Sequence, residues 1–365
     1  MIISGGGTGG HIFPAISIAN ALRLIEPAID ILFVGALGRM EMEKVPQAGY
    51  RIIGLPISGF MRKLSMGNVS LLFKLISSLR QSSDIIRKFK PDAVVGVGGY
   101  ASGAVLFIAS RKKIPCLIQE QNSYPGITNR LLSKKAGKIC VAYEGMEKYF
   151  PADKIILTGN PVRQDLENAE NNKNEALKYF NLKPGKKTLL IIGGSLGART
   201  INQSIIKNIA RLTVSNIQIL WQTGKTYYKD ALNEVMIHKP ENLFLHDFIN
   251  RMDLAYSVAD VVISRAGACA ISELSLVGKA CILVPSPNVA EDHQTKNAMV
   301  LVKKNAALLI PDNEACDKLV DVAMDLIRDE KKLNELSANI KKMAYKNSAI
   351  RIAEEVLTMV NQFKS

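Results

Sequence analysis

The sequence predicts an α/β protein of two doubly wound domains, each a parallel sheet covered by helices on both faces. Three observations support this class. Short, fully apolar strand-like runs alternate with helical patterns along the chain. At 365 residues the chain is too long for one ordinary core. The runs also fall into an earlier and a later group, with a polar stretch between them.

The predicted strands and domain boundaries follow directly from these runs. The earlier group is Ile2–Ser4, Ile31–Val34, Arg51–Gly54, Ala93–Val97, Cys116–Gln119, Lys138–Val141 and Ile155–Leu157. The later group is Leu189–Ile192, Ile217–Trp221, Leu243–His246, Val261–Ile263, Ala280–Val284 and Ala307–Leu309. We expect a first domain over 1–160 and a second over 161–345. A last helix at about 346–365 is expected to pack back on the first domain.

A glycine-rich loop follows the first predicted strand. The run Gly5-Gly6-Gly7-Thr8-Gly9-Gly10-His11 precedes a helical pattern that restarts at Pro14, a residue suited to a first helical turn. Glycines let the backbone approach a ligand closely, and amides at a helix start attract anions. His11 is held over the same place, and histidine is the side chain best suited to move a proton near neutral pH.

Two further glycine loops have the same strand–loop–helix context. They are Gly96-Val97-Gly98-Gly99-Tyr100 and Gly193-Gly194-Ser195-Leu196-Gly197. Each alone is compatible with simple tight-turn chemistry. Three together, two in the first domain and one opening the second, predict a cleft lined by backbone amides that suits phosphates.

The first loop also satisfies the dinucleotide fingerprint at Gly5, Gly7 and Gly10, which is a weak signal alone. Such a site requires an acidic residue at the end of the second strand to hold the ribose. Gly35 stands at that place, so a nicotinamide or flavin cofactor is disfavoured.

Composition narrows the partners. The net charge of +14 favours an anionic partner, although a solvated basic surface would have the same composition. A single tryptophan, Trp221, and few aromatics near the basic runs argue against nucleic acid. No apolar run is long enough for a membrane span, and we expect no secretory signal, because no basic region followed by an apolar segment is found. The five cysteines and four histidines have no metal-site spacing, so buried free thiols are expected.

Several motifs, in order over nearly the whole chain, closely resemble the bacterial MurG glycosyltransferases. They are Gly-Gly-Thr-Gly-Gly-His ending at His11, Gly98-Gly99-Tyr100-Ala101-Ser102, Gln119-Glu120-Gln121-Asn122, Gly159-Asn160-Pro161-Val162-Arg163, Gly193-Gly194-Ser195-Leu196-Gly197-Ala198, Ser264-Arg265-Ala266-Gly267-Ala268 through Glu273, and Glu291-Asp292-His293-Gln294 with Asn297-Ala298. The resemblance implies the GT-B fold, in which two Rossmann-like domains face a cleft.

The resemblance also implies an activity. The family moves N-acetylglucosamine (GlcNAc) from UDP-GlcNAc to the muramyl 4-hydroxyl of lipid I, the lipid-linked muramyl-pentapeptide, and so makes lipid II for peptidoglycan. It further implies a peripheral protein at the cytoplasmic face of the cell membrane, with no cofactor. The expected partners are UDP-GlcNAc, lipid I, an anionic membrane surface and other cell-wall synthesis proteins, with no nucleic acid.

By resemblance, UDP-GlcNAc lies mostly on the second domain. Ser195 and Arg163 are expected to hold the diphosphate, with an interdomain salt bridge as the alternative for Arg163. Glu273 is the expected ribose clamp, with helix capping as its alternative. The remaining donor contacts are expected at Thr8, Gly9, Gly10, Asn122, Ile249, Ala268 and Gln294. Among these, the Ile249 backbone would read the uracil edge. Asn122 and Gln294 would bond the GlcNAc hydroxyls or be ordinary polar loop residues.

The expected reaction is a direct displacement that inverts the anomeric carbon. The attacking hydroxyl is a poor nucleophile and needs a general base. His11 is the first candidate, and Glu120 is the second, either as the base or as a group that orients a proton relay. Tyr100 is expected on the acceptor side. No Asp-x-Asp motif sits at a strand end, so we expect metal-independent transfer in which amides and arginine neutralise the departing UDP.

A basic and apolar segment between Gly59 and Lys90 predicts the membrane contact. Its runs are Phe60-Met61-Arg62-Lys63-Leu64, Leu71-Leu72-Phe73-Lys74-Leu75-Ile76, Leu79-Arg80 and Arg87-Lys88-Phe89-Lys90. A core-facing helix with a solvated basic edge is the alternative, in particular for Leu72, Leu75, Ile76 and Leu79.

Three other functions remain as alternatives at this stage. One is another UDP-sugar transferase, or an epimerase, of the same fold. The second is a non-catalytic nucleotide-sugar sensor or scaffold, which would need neither His11 nor Tyr100. The third is a basic nucleic-acid binder. Elution of the protein from UDP-agarose by UDP but not by DNA would argue against this alternative.

Overall fold

The computed structural model describes residues 1–57, 67–163, 166, 172–194 and 196–364, except the side chains of residues 67–72 and 290. The chain divides into two compact units. Unit 1 is residues 1–162 together with 347–365, and unit 2 is residues 163–346. Each unit is built on one parallel sheet, of seven strands in unit 1 and six in unit 2. The predicted fold class is confirmed.

The sheet of unit 1 has the order β3-β2-β1-β4-β5-β6-β7. Its strands are β1 (Ile2–Gly5), β2 (Leu32–Ala36), β3 (Arg51–Leu55), β4 (Val94–Gly98), β5 (Cys116–Glu120), β6 (Lys138–Val141) and β7 (Ile155–Leu157). Neighbouring side chains along a strand enter different clusters, with Ile2 and Val94 in one and Ile3 and Val95 in the other. Both faces of this sheet are therefore buried, which explains why apolar residues predominate in its central strands.

The sheet of unit 2 has the order β10-β9-β8-β11-β12-β13. Its strands are β8 (Thr188–Ile192), β9 (Gln218–Gln222), β10 (Leu243–His246), β11 (Val261–Ser264), β12 (Ala280–Leu283) and β13 (Leu308–Leu309). The buried Trp221 lies on β9 and donates its indole N–H to Asn202 Oδ1 at 3.0 Å. This bond satisfies the one polar group of a side chain that is otherwise core.

Helices connect the strands in both units. Those of unit 1 are α1 (Gly9–Ile25), α2 (Glu41–Gln47), α3 (Gly67–Phe89), α4 (Tyr100–Arg111), α5 (Ile127–Leu132) and α15 (Ser348–Lys364). Those of unit 2 are α6 (Lys173–Tyr179), α7 (Arg199–Lys207), α8 (Ile209–Thr213), α9 (Tyr228–His238), α10 (Met252–Val258), α11 (Ala268–Val277), α12 (His293–Val302), α13 (Ala315–Arg328) and α14 (Glu330–Lys341).

The C-terminal helix α15 packs against α1 within unit 1. Ile352, Ala353 and Val356 are fully buried in the cluster that also covers one face of the sheet. Glu355 on the same helix bonds Lys138 Nζ at 2.5 Å. The apolar stripe of the last helix is therefore core of the first unit, although more than 180 residues of chain intervene.

All thirteen predicted strands are present, with ends that move by one or two residues. The predicted start of the first helix is wrong. Helix α1 begins at Gly9, so Pro14 lies inside the helix and not in its first turn. Glycine has low intrinsic helix propensity, which hides a helix start made of Gly9 and Gly10.

The cysteines are free thiols, and Cys116, Cys140 and Cys281 are buried. Burial raises the pKa of each of these three thiols to about 12. They are therefore neutral and unreactive at physiological pH, and the expectation of buried free thiols is confirmed for them.

Candidate active site

The first glycine loop is a sharp turn from β1 into α1. Gly7 has φ +90°, in the left-handed region that favours glycine. Thr8 precedes the helix, and Gly9 and Gly10 form its start, where amides lack intrahelical acceptors and the helix dipole is positive. The three residues predicted to contact the donor in this loop therefore lie where an anion is favoured.

His11 is half-buried, and its ring is held from two sides. Nδ1 lies 3.1 Å from the carbonyl oxygen of Gly6 and 3.3 Å from Thr8 Oγ1. A Cβ on Gly98 would lie 2.7 Å from the ring, so the imidazole rests directly on the backbone of the second loop. A bond from Nδ1 to the Gly6 carbonyl requires the proton on Nδ1, whereas a bond donated to Nδ1 by the Thr8 hydroxyl requires the proton on Nε2.

The second glycine loop supports the first. Gly98 and Gly99 have φ of +102° and +87°, and a Cβ on Gly99 would lie 2.6 Å from the carbonyl oxygen of Gly6. Only a backbone without side chains fits both requirements. Tyr100, predicted on the acceptor side, begins α4 immediately after this loop and is half-exposed. The structure thus brings His11 and the loop that carries Tyr100 together.

Glu120 is 1 % exposed and lies at the end of β5. Its Oε1 accepts from the amide of Asn122 at 3.0 Å and from Asn122 Nδ2 at 3.2 Å. Its Oε2 accepts from the amide of Gly126 at 3.1 Å and from Asn129 Nδ2 at 2.8 Å. Burial raises the pKa of Glu120, and these four N–H donors work in the opposite direction.

These four bonds bear on the two roles predicted for Glu120. Two carboxylate oxygens offer about four acceptor positions, and the loop after β5 supplies four donors. The Glu120 carboxylate therefore organises the loop after β5, and the two roles expected of it, as the base or as the group that orients a proton relay, stay predictions. Asn122, predicted to contact the sugar, is itself held by Glu120 through both its backbone and its side chain.

The neighbours of Glu120 form a buried amide network. Gln121 Nε2 donates to the carbonyl of Val97 at 2.7 Å and also contacts Gln119 Oε1. Gln119 Nε2 donates to Asn160 Oδ1 at 3.1 Å, and Asn160 Nδ2 donates to the carbonyl of Gln121 at 3.1 Å. The Gln-Glu-Gln-Asn motif therefore connects the ends of β4 and β5 to Asn160, near the end of the first segment of unit 1.

In unit 2, the structure brings together two residues assigned to the donor. Arg163 Nε lies 3.8 Å from Glu273 Oε1, and Tyr256 donates its hydroxyl to Glu273 Oε2 at 3.0 Å. Burial and the adjacent Glu273 raise the pKa of Tyr256 well above its usual value, so the phenol remains a proton donor. The contact between Arg163 and Glu273 lies within unit 2.

Glu273 is the sixth residue of α11, which begins at Ala268, and no acidic residue lies in the first turn of that helix. The capping alternative for Glu273 is therefore wrong, because caps and dipole effects act within the first turn. Ala268 itself is buried at the helix start.

Two predicted donor residues already have protein partners. The amide of Ile249 donates to Gln222 Oε1 at 2.9 Å, so its carbonyl is the backbone group that could accept from a uracil N–H. Gln294 Oε1 accepts from the amide of Ser286 at 2.8 Å, which fixes the side chain at the start of α12. The roles of both residues in binding stay predictions.

The segment before α12 is strained. Glu291 and Asp292 have φ of +53° and +54°, and two consecutive left-handed residues other than glycine are unusual. Such outliers persist where the surroundings over-determine them, often at ligand sites. The two residues lie just before His293, the first residue of α12, and the placement of Gln294 near a ligand stays a prediction.

The third glycine loop follows β8 and is tightly packed. A Cβ on Gly193 would lie 2.3 Å from the amide nitrogen of Ala198, and one on Gly197 would lie 2.0 Å from the carbonyl of Thr223. Glycine is thus required at both positions. Ser195, predicted to hold the diphosphate, lies outside the described residues.

Over the residues that the structure describes, no group of three or more His, Cys, Asp or Glu side chains is placed to hold a metal ion. Metal-independent transfer stays a prediction, to be tested in solution.

Models of known protein families match both units of the chain. The family model for the glycosyltransferase family 28 N-terminal domain matches residues 1–141, and the model for the family's C-terminal domain matches residues 188–352. The chain belongs to glycosyltransferase family 28. All three glycine loops of this chain lie inside the matched regions, as do Glu120 and Glu273.

Two curated relatives illustrate the similarity. One, from Parabacteroides distasonis, is 58% identical over 362 residues, covering 99% of this chain and 98% of the relative. Another, from Flavobacterium psychrophilum, is 55% identical over 368 residues, covering 100% of this chain and 98% of the relative. Both are named UDP-N-acetylglucosamine–N-acetylmuramyl-(pentapeptide) pyrophosphoryl-undecaprenol N-acetylglucosamine transferase. The resemblance to the MurG group of family 28 is confirmed.

Solved structures support the GT-B fold. The crystal structure of Acinetobacter baumannii MurG is 28% identical with a TM-score of 0.76, covering 98% of this chain and 99% of that chain. A Neisseria meningitidis UDP-GlcNAc 2-epimerase bound to UDP-GlcNAc is 16% identical with a TM-score of 0.68, over 98% and 99% of the two chains. The second likeness concerns the fold alone.

Sequence reasoning missed several residues that the structure places around the predicted ones. Asn129 holds Glu120, Tyr256 holds Glu273, and Glu41 contacts the first glycine loop. Glu41 has the sequence context of an ordinary acid in the first turn of a surface helix, and Tyr256 that of a core aromatic. Local pattern gives no signal for either role, because the partner lies far away in the chain.

Proposed function

We propose that this chain transfers GlcNAc from UDP-GlcNAc to the muramyl 4-hydroxyl of lipid I and so produces lipid II. The observation that carries the proposal is the 58% identity, over 99% of the chain, to a relative that bears the name of this transferase. The described site residues support it, because His11, Arg163 and Glu273 have partners that suit a base, a phosphate ligand and a ribose ligand.

We assign the donor to unit 2. Glu273 would accept from the two ribose hydroxyls through oxygens already oriented by Tyr256. Arg163 is half-exposed beside that carboxylate and carries a guanidinium fork that matches phosphate oxygens. When UDP binds, the Arg163 fork would turn from the loose 3.8 Å contact with Glu273 to the diphosphate, where charge develops as the glycosidic bond breaks.

We assign the acceptor and the base to unit 1. The muramyl hydroxyl would donate its proton to Nε2 of His11 while the oxygen attacks the anomeric carbon on the face opposite UDP. The α-linked donor then gives a β-linked product, because a single displacement inverts the centre. Glu120 would hold the loop that carries Asn122 and would take no proton itself.

The proposal is tested by transfer of radiolabel from UDP-GlcNAc to a soluble lipid I analogue, with UDP-GalNAc as the donor control. We expect label in the acceptor from UDP-GlcNAc only. Formation of the 2-epimer of UDP-GlcNAc without transfer would favour the epimerase alternative. UDP-GlcNAc binding with neither product would favour the sensor alternative.

The metal dependence of this reaction is a separate prediction. We expect transfer to persist in excess EDTA, because Arg163 and the helix-start amides would neutralise the leaving diphosphate. The measurement is the initial rate with and without EDTA, and with Mg²⁺ added back. Loss of the rate in EDTA that Mg²⁺ restores would contradict the assignment of leaving-group charge to these residues.

We further propose that unit 1 lies against the anionic cytoplasmic face of the cell membrane. On α3, Phe73 is 69 % exposed and Ile76 is 39 % exposed, with the exposed cations Lys74 and Arg80 beside them in sequence. Leu75 and Leu79 instead pack against the core of unit 1, as the alternative of a core-facing helix predicts for these two residues. Phe60, Met61, Arg62, Lys63 and Leu64 lie outside the described residues, as does the side chain of Leu72.

A second surface of unit 1 has the same chemistry. On α5, Ile127 and Leu131 are 60 % and 74 % exposed, and they flank Arg130. Lys134 and Lys148 line the same surface depression. Apolar side chains rimmed by cations are typical of helices that rest at a headgroup interface. None of the helices that the structure describes is long and apolar enough to span a bilayer.

The membrane proposal predicts a loss of vesicle binding. Replacing Lys74, Arg80 and Lys88 with Gln should weaken sedimentation with phosphatidylglycerol vesicles, since each surface cation contributes about 1 kcal/mol near an anionic membrane. Turnover of a short-chain soluble acceptor should survive. The matched control replaces three exposed lysines of unit 2, namely Lys225, Lys229 and Lys331. Equal binding by the two triple variants would place the docking surface elsewhere.

A further inference from the structure

Glu41 is a buried carboxylate that the proposed mechanism does not use. It begins α2 and is 1 % exposed. Its Oε1 accepts from the amide of Ala36 at 2.9 Å, and Oε2 accepts from the amide of Gly7 at 3.0 Å, with Oε1 at 3.2 Å from the same amide. A carboxylate this deeply buried is costly unless its bonds serve the structure around it.

Two glycines make room for this carboxylate. A Cβ on Gly6 would lie 2.0 Å from Glu41 Oε1, and a Cβ on Gly35 would lie 2.5 Å from Glu41 Cγ. Gly6 is absent from the residues with positive φ, so steric space, not backbone conformation, is what requires glycine there. The absent side chains leave the space in which the carboxylate reaches the first loop.

The group that Glu41 contacts is the same peptide unit that contacts His11. The amide of Gly7 and the carbonyl of Gly6 belong to one peptide bond, which is trans, so its N–H and C=O point in opposite directions. Glu41 holds the N–H side at 3.0 Å, and His11 Nδ1 lies 3.1 Å from the C=O side. Carboxylate, peptide and imidazole therefore form one continuous hydrogen-bonded chain.

We propose that Glu41 is a positioning residue that, through the Gly6–Gly7 peptide, holds the His11 ring with its proton on Nδ1 and its lone pair on Nε2. A negative acceptor on the N–H polarises the peptide and makes the carbonyl oxygen a stronger acceptor. The stronger carbonyl binds the Nδ1 proton more tightly. The bond made at one ring nitrogen decides which tautomer the imidazole adopts.

The Thr8 hydroxyl competes with the Gly6 carbonyl for Nδ1 of His11. The hydroxyl lies 3.3 Å from the same Nδ1 and could donate to it, which would favour the opposite tautomer. The carbonyl of Gly6, polarised by Glu41, settles the competition in favour of the proton on Nδ1. The effect of the tautomer on turnover rests on the proposed function, because His11 can act as a base at Nε2 only if the lone pair is there. The assignment of the tautomer does not depend on the proposed function.

The first test reads the tautomer directly in the wild-type protein. Long-range ¹H–¹⁵N spectra of protein labelled with ¹⁵N-histidine, recorded where the ring is neutral, distinguish the two tautomers. The signals of His11 are those lost in the His11→Asn variant. We expect protonated Nδ1 and unprotonated Nε2. A ring protonated on Nε2 would overturn the proposal without any further variant.

The second test removes the carboxylate in two independent ways. Glu41→Gln replaces one acceptor oxygen with a donor, and Gly6→Ala drives the carboxylate away by steric contact. Both should raise the fraction of the Nε2-protonated tautomer. Glu43→Gln, which removes the same charge from an exposed position on α2, should leave the spectrum unchanged. Thr8→Val should also retain the Nδ1-protonated tautomer, because the competing donor is gone.

The third test connects the tautomer to turnover. Glu41→Gln should lower kcat by roughly 10- to 100-fold, as loss of a group that orients a histidine commonly does, with little change in the KM for UDP-GlcNAc. The Glu43→Gln variant should keep the wild-type rate. A tautomer change without a kcat change would leave the Glu41 role intact and refute His11 as the base. An unchanged tautomer in both Glu41→Gln and Gly6→Ala would refute the Glu41 role.

Discussion

Replacement of His11 with Ala should lower turnover by about 10²- to 10⁴-fold, the usual loss when a general base is removed. Affinity for UDP-GlcNAc should remain nearly unchanged, because the uridine and diphosphate are assigned to Arg163 and Glu273 in unit 2. The wild-type rate should also fall at acid pH, because an imidazole that has gained a proton can no longer act as a base. That acidic limb should vanish in the variant. Single-turnover rates and isothermal calorimetry separate the two effects.

A matched control is available in His238, an exposed histidine at the end of α9 in unit 2. His238→Ala should keep the wild-type rate and pH profile. If His11→Ala keeps the acidic limb, the base is another group, and Glu120 becomes the first candidate. If His11→Ala instead loses donor affinity, His11 is a ligand of the diphosphate or of the sugar.

The second large effect is expected at Glu273. Glu273→Ala should weaken the binding of UDP by about 2–4 kcal/mol, roughly 30- to 700-fold in Kd, because two charge-assisted bonds to the ribose hydroxyls are lost. Tyr256→Phe keeps the carboxylate and removes only the hydroxyl that orients it at 3.0 Å. It should therefore weaken UDP binding by less, roughly tenfold. Calorimetric titration with UDP gives both values.

The control for Glu273 is Asp317→Ala, which removes a carboxylate from the surface of the same unit, where it pairs with Lys207. Its affinity for UDP should equal that of the wild type. Unchanged affinity in Glu273→Ala would remove Glu273 from the ribose role and leave it as a partner of Tyr256 and Arg163 only. Circular dichroism of each variant shows whether the fold of unit 2 is retained.

Much of the fold could be predicted because its strands are short, apolar and buried on both faces. In each sheet, the side chains on both faces of a strand must be buried, so the strand is a local run of apolar residues. Its position can therefore be found from neighbouring residues in the sequence. The glycine loops could be found for a similar reason. Positions such as Gly98 and Gly99 need φ values that other residues rarely adopt, and this requirement is also local.

The candidate site was predictable only in part. His11, Glu273 and Arg163 could be proposed from the motifs, and the structure shows Arg163 beside Glu273. The division of labour between His11 and Glu120 could not be read from the motifs, because both residue types can act as bases. It depends on the partners: four N–H donors surround the Glu120 carboxylate, whereas the His11 ring bonds a carbonyl through one nitrogen.

The sequence by itself determined the two parallel sheets and the glycine loops at their strand ends, because these depend on burial patterns and conformations that adjacent residues specify. Its motifs also carried the resemblance to the family. Only the tertiary structure decided that α1 begins at Gly9, that Glu41 contacts the Gly6–Gly7 peptide and that Tyr256 holds Glu273. Each of these outcomes joins groups distant in sequence or overrides a weak local propensity. Hydrogen bonds between buried groups are set by where the whole chain places them, and no local pattern encodes that placement.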